Sequence, residues 1–142
     1  MNPAELMQKA TRSLKTARLA FEDGDMDGAA SRAYYGMFNA ARAALIHAGH
    51  NEAAEAKTHS GLISAVGQYL VKSGQLSGDH GRSLNEICQV RIAADYLGVA
   101  ISQEEAEAAI KRADAFIATI GRLVQETPKQ LPAPKQPKKR GR

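Results

Sequence analysis

Arg91 and Asp95 sit four residues apart, and Tyr96 follows directly, so a cation, a carboxylate and a phenol fall on adjacent turns of one segment. A guanidinium can clamp a phosphate or stabilise charge growing on a transferring phosphoryl group, a carboxylate can take a proton, and a phenol can donate one. The same spacing also suits a plain intrahelical ion pair between Arg91 and Asp95. Placement sharpens the interest. The stripe Leu84, Ile87, Cys88 runs on to Arg91, and arginine is seldom buried along an apolar stripe unless it is paired or used at an interface.

Two further groups of residues are suited to anions. Arg32, Tyr35, Asn39, Arg42 and Ile46 recur at helical spacing as a polar stripe, which reads either as a solvated face or as an interface carrying phosphate-binding arginines. The run Lys57-Thr58-His59-Ser60-Gly61 places a base, a cap and a histidine at one helix start, where free backbone donors attract anions. His47, His50 and His80 have no partner at ligand spacing, and the single cysteine, Cys88, excludes both an internal disulfide and a cysteine-based zinc site. Neither a metal site nor a cofactor is expected. No phosphate loop ending in Gly-Lys-Ser/Thr, nucleophile elbow or His-Glu-x-x-His pair occurs.

The elements that must hold these residues are helices. Val, Ile, Thr and aromatics never cluster with period two, while Ala, Leu, Glu, Lys and Gln recur at helical spacing. The first helix starts with Asn2 as cap, Pro3 and Glu5, buries Leu6, Ala10, Leu14, Ala17 and Phe21, and stops at Gly24. A second runs from about Asp25 to Gly49 through Ala30, Ala33, Tyr34, Met37, Phe38, Ala41, Ala44 and Leu45, its small residues inviting close approach by a neighbour. Residues 50–57 read as a polar connection with some helix at 52–56. A third helix, capped by Thr58 or Ser60, buries Leu62, Ile63, Val66, Tyr69 and Leu70. The fourth spans about Gly78 to Tyr96, and the last carries a capping box, Ser102 with Glu105. Five helices with short connections predict an all-α antiparallel bundle.

At 142 residues the chain is sized for one domain, and its charge divides sharply. Residues 1–126 hold 13 basic against 15 acidic side chains; 127–142 hold six basic residues, no acid and four of the five prolines. The expected organisation is therefore a bundle over 1–126 and a flexible polyproline-like tail over 127–142. Lys138, Lys139 and Arg140 in that tail would attract any polyanion by releasing counterions. No apolar run of 18 residues and no apolar centre near the start are present, so the expectation is a cytoplasmic protein without membrane insertion.

Four blocks, in order, carry a resemblance: Ser31 to Leu45 (SRAYYGMFNAARAAL), Lys57 to Ile63 (KTHSGLI), Val71 to Gly74 (VKSG) and Arg91 to Tyr96 (RIAADY). Over about residues 5–125 the chain resembles the HEPN family (higher eukaryotes and prokaryotes nucleotide-binding), in its small bacterial and archaeal branch. The resemblance implies a helical bundle that pairs as a homodimer around a cleft. It also implies RNA or a nucleotide as ligand, metal-independent ribonuclease activity in many members, and a small nucleotidyltransferase-like antitoxin as partner. The usual family motif is an arginine followed four to six residues later by histidine. Arg91 matches the arginine; Tyr96 stands at the histidine position and Ile92 follows the arginine.

Metal-free RNA cleavage proceeds by attack of the 2′-hydroxyl on the adjacent phosphorus, which calls for a base, an acid and a cation. Arg91 suits the cation. A phenol with an ordinary pKa near 10 is a donor and a poor base at neutral pH, so a base would come from His59 or Asp95, or be missing. An ideal helix sets Tyr96 about 140° around from Arg91, which separates the two within one subunit unless a second copy supplies its own Arg91 to the cleft. The alternative is a catalytically silent module that binds a nucleotidyltransferase-like partner or a nucleotide.

Overall fold

The computed structural model describes residues 1–126. The expected tail, with Lys138, Lys139 and Arg140, lies outside the described residues. Six helices make up the fold: α1 (Pro3–Glu22), α2 (Met26–His47), α3 (Asn51–Ala54), α4 (His59–Val66), α5 (Gly78–Tyr96) and α6 (Gln103–Gln125). The described chain contains no strand. Start chemistry is as the sequence implies. The Asn2 side chain accepts from the Glu5 backbone N–H at 2.8 Å while Glu5 accepts from Asn2, and Ser102 and Glu105 repeat the arrangement on α6.

The centre of the bundle is α2, which packs against α1, α5 and α6. Its buried face is small: Ala29, Ala30, Ala33, Gly36, Ala40, Ala41, Ala43 and Ala44, with Tyr34, Met37 and Leu45 filling the gaps between helices. The three-residue turn 23–25 folds α2 back along α1, and Gly24 supplies its left-handed backbone at φ 87°. Gly36 marks the tightest approach: a Cβ built there would lie 3.2 Å from the Ala10 carbonyl oxygen on α1 and 3.0 Å from Ile117 Cδ1 on α6. A single core runs through all of the longer helices.

Two features refine the sequence reading. The connection at 50–57 contains the short helix α3, held by Arg42, whose Nε donates to the Ala54 carbonyl at 3.0 Å. The third expected helix is divided: α4 ends at Val66 and a wide π turn, Gly67–Val71, follows, in which Lys72 N–H reaches the Gly67 carbonyl at 3.1 Å. Leu62, Val66 and Leu70 are buried as expected, whereas Tyr69 is only half-buried and stacks on His50 with ring centroids 4.2 Å apart. The link after α5 is tied to the start of α2 by Asp27, whose carboxylate accepts from Ile101 N–H at 3.1 Å.

Candidate functional site

Arg91 reaches the end of the apolar face of α5 and is buried, at 8% exposure. Its Nε lies 2.9 Å from Asp95 Oδ2, a close charge pair, yet the N–H is not aimed at that oxygen and is left without a hydrogen bond among the described residues. Aromatic rings flank the guanidinium, whose carbon is 5.1 Å from the centre of the Tyr35 ring and 5.5 Å from that of Tyr96. Burial opposes its charge, but Tyr35, Tyr96 and Asp95 outweigh burial and hold the pKa above the ordinary value. The angular separation expected of Arg91 and Tyr96 is bridged by the length of the arginine side chain, so the two meet within one subunit.

Tyr35 connects this pair to α2. The Arg32 guanidinium carbon sits 5.5 Å from the same Tyr35 ring, and its Nη2 contacts Ser13 Oγ at 3.4 Å. Within the polar stripe of α2, Arg32 is exposed and Tyr35 half-buried, but Asn39 is buried and donates to the Tyr35 carbonyl at 3.0 Å. The stripe is thus not a solvated face. Arg42 lies two turns beyond Tyr35 and is engaged with α3, apart from the other candidates.

His59, the first residue of α4, joins the cluster from a third element. Its Nδ1 is 2.7 Å from the Tyr34 hydroxyl, and its ring centre lies 5.2 Å from Phe38 and 6.1 Å from Tyr35. Burial, followed by the nearby Arg91 charge, pushes its pKa below the ordinary histidine value, so it is neutral at pH 7. Thr58, not Ser60, caps this helix, accepting from Gly61 N–H at 2.9 Å.

The structure therefore brings together Arg91, Asp95, Tyr96, Tyr35, Arg32 and His59 from α2, α4 and α5. A side of the cluster faces out: Tyr96 is 69% exposed and the Asp95 side chain 34%. Two guanidiniums, a carboxylate, a neutral imidazole and an exposed phenol ring in one place can bind a phosphate, stack a base and exchange protons. No group of three His, Cys, Asp or Glu residues among those described is placed to hold a metal ion.

Residues 4–123 match the HEPN domain. The chain belongs to the HEPN family. A protein of Gloeobacter violaceus named "UPF0332 protein glr0978" is 36% identical over 115 residues, which cover 80% of this HEPN chain and 88% of the relative. Two proteins of Methanocaldococcus jannaschii bear the names "Putative toxin MJ0605" and "Putative toxin MJ0142". The first is 32% identical over 85% of this chain and 87% of its own length, the second 30% over 80% and 75%. In this HEPN chain no helix among the described residues is long and apolar enough to cross a membrane.

Sequence reasoning singled out Arg91 but missed the part that supports it. Tyr34 and Phe38 read as filler of the apolar stripe, and Cys88 as a small buried residue. All three are buried or half-buried, yet Tyr34 and Phe38 form the wall against which His59 rests, and Cys88 abuts the Tyr34 hydroxyl. The only available signal was that a tyrosine on a buried face needs a partner for its hydroxyl.

Proposed function

We propose that this chain is a toxin-type HEPN protein that binds RNA at the Arg91 cluster and cleaves it without a metal, in a cleft completed by a second copy of the chain. One observation carries the reading. The Arg91 guanidinium is held between the Tyr35 and Tyr96 rings with the Asp95 carboxylate beside it, so the cation, donor and acceptor the chemistry needs are pre-assembled. The toxin names borne by relatives similar over most of their length support a toxin–antitoxin setting, and the partner proposed with it is a small nucleotidyltransferase-like antitoxin.

In this reading the 2′-hydroxyl of RNA attacks the adjacent phosphorus, forming the new O–P bond as the bond to the 5′-oxygen breaks. His59 or Asp95 takes the 2′-hydroxyl proton, Arg91 stabilises the charge on the phosphoryl oxygens, Tyr96 stacks on a base and donates a proton toward the leaving 5′-oxygen, and Arg32 holds a neighbouring phosphate. Full-length protein is incubated with total RNA in a chelator, beside Arg91→Ala. Cleavage by the native protein alone supports the reading, and equal cleavage by both removes Arg91 from the mechanism.

A second reading is favoured by a specific observation: Tyr96 occupies the histidine position, and Asp95 already engages Arg91. Here the chain is a catalytically silent HEPN module that binds the partner or a nucleotide through the same surface. RNA cleavage that appears only in Tyr96→His would establish this second reading.

A further inference from the structure

The hydrogen bond and the aromatic contacts of the His59 ring all come from α2. Tyr34, fully buried, places its hydroxyl 2.7 Å from Nδ1, and the rings of Tyr34, Tyr35 and Phe38 surround the imidazole at 5.3, 6.1 and 5.2 Å. The half-exposed imidazole makes no hydrogen bond through Nε2 among the described residues. Burial, and after it the nearby Arg91 charge, disfavours a second proton, so the ring carries one.

Which nitrogen holds that proton follows from the tyrosine. Burial, above all, keeps the Tyr34 phenol protonated far beyond neutral pH, leaving one O–H to donate and two neighbours to receive it, His59 Nδ1 and the Cys88 sulfur. An unprotonated imidazole nitrogen is a strong acceptor and a thiol sulfur a weak one. The phenol therefore donates to Nδ1.

We propose that Tyr34 is a positioning residue that locks His59 with its proton on Nε2, so that His59 offers the RNA phosphate a hydrogen-bond donor and not a base. This rests on the reading that RNA phosphate sits at Arg91. It leaves Asp95 as the group that takes the 2′-hydroxyl proton, while the leaving 5′-oxygen gains one from Tyr96 and both side chains re-equilibrate with water.

Long-range proton–nitrogen NMR spectra of the full chain, with His59 assigned through His59→Gln, test the proposal without RNA. The expected result is one neutral tautomer, protonated on Nε2, that becomes a mixture in Tyr34→Phe, which keeps the ring and removes only the hydroxyl. A native proton on Nδ1, or a spectrum unchanged in Tyr34→Phe, would overturn it. Should Tyr34→Phe fail to fold, the native spectrum alone decides.

RNA supplies the second arm. His59→Gln, which retains an amide donor, should bind RNA nearly as the native protein does, whereas His59→Ala should bind about twofold to tenfold more weakly, the worth of one hydrogen bond. Asp95→Asn should keep binding and lose cleavage. Equal affinity in His59→Ala, or cleavage surviving in Asp95→Asn, counts against the donor and base assignments respectively. Failure of the Arg91 reading would appear only in the RNA arm, and failure of the Tyr34 lock in the spectra.

Discussion

Tyr35→Leu separates the structural worth of the central ring from its bulk. The Arg91 contact is desolvated, since that side chain is 8% exposed, and such cation–π contacts contribute about 2 kcal/mol. The Arg32 contact is at an exposed arginine and belongs at the lower end, about 0.5 kcal/mol. Tyr35 also meets Tyr34 and Phe38 edge-on, with centroids 5.4 and 6.1 Å apart, and leucine replaces much of that apolar area but not the ring geometry. The sum is a destabilisation of about 2–3 kcal/mol, or a fall in Tm of roughly 6–12 °C for a domain of this size. Urea denaturation of Tyr35→Leu, Arg91→Met, Arg32→Met and the two double variants gives the coupling energies directly. Coupling of Tyr35 to Arg91 should be about 1.5–2 kcal/mol and to Arg32 about 0.5 kcal/mol or less. A Tyr35–Arg91 coupling below about 0.3 kcal/mol, within the scatter of independent sites, would refute the claim that the ring holds the guanidinium.

Other outcomes follow from the same geometry. Gly36→Ala gains about 1 kcal/mol of helix propensity but drives a Cβ to 3.2 Å from the Ala10 carbonyl, and overpacking of about 1–3 kcal/mol should win, lowering Tm by calorimetry. Because the folded protein holds the His59 pKa below the ordinary 6.5, the unfolded chain binds the extra proton first. The stability involved is therefore complete above pH 6.5 and declines as pH falls through and below it, and the slope difference between native protein and His59→Gln in denaturant titrations isolates it. Arg42→Ala should release α3, raising amide exchange across Asn51–Ala54 while leaving that of α1 unchanged.

What the sequence disclosed was the part of the fold written locally. Asn2 with Glu5, and Ser102 with Glu105, announce their helices because a cap and its partner lie within one turn, and the alanine face of α2 announces a close neighbour because its period matches a helix. The Arg91–Asp95 pair was readable for the same reason, being four residues apart. Contacts between elements were not. Tyr34 and His59 are 25 residues apart in sequence, and Arg42 and Ala54 are 12 apart; periodicity tells which way a side chain faces but not which helix it meets. Tyr96 shows the opposite error, where an ideal helical angle counted Cα positions and neglected the reach of an arginine side chain.

The claim that matters most is that Arg91 acts on RNA phosphate. Single-turnover cleavage of a labelled RNA at saturating protein, in the presence of a chelator, measures it with binding set aside. Arg91→Ala should slow the native rate by about a hundredfold or more, the effect of removing a preorganised stabiliser of transition-state charge, while Arg91→Lys, which keeps the charge but not the plane between two rings, should recover only part. Rates for Arg91→Ala within threefold of native would contradict the account.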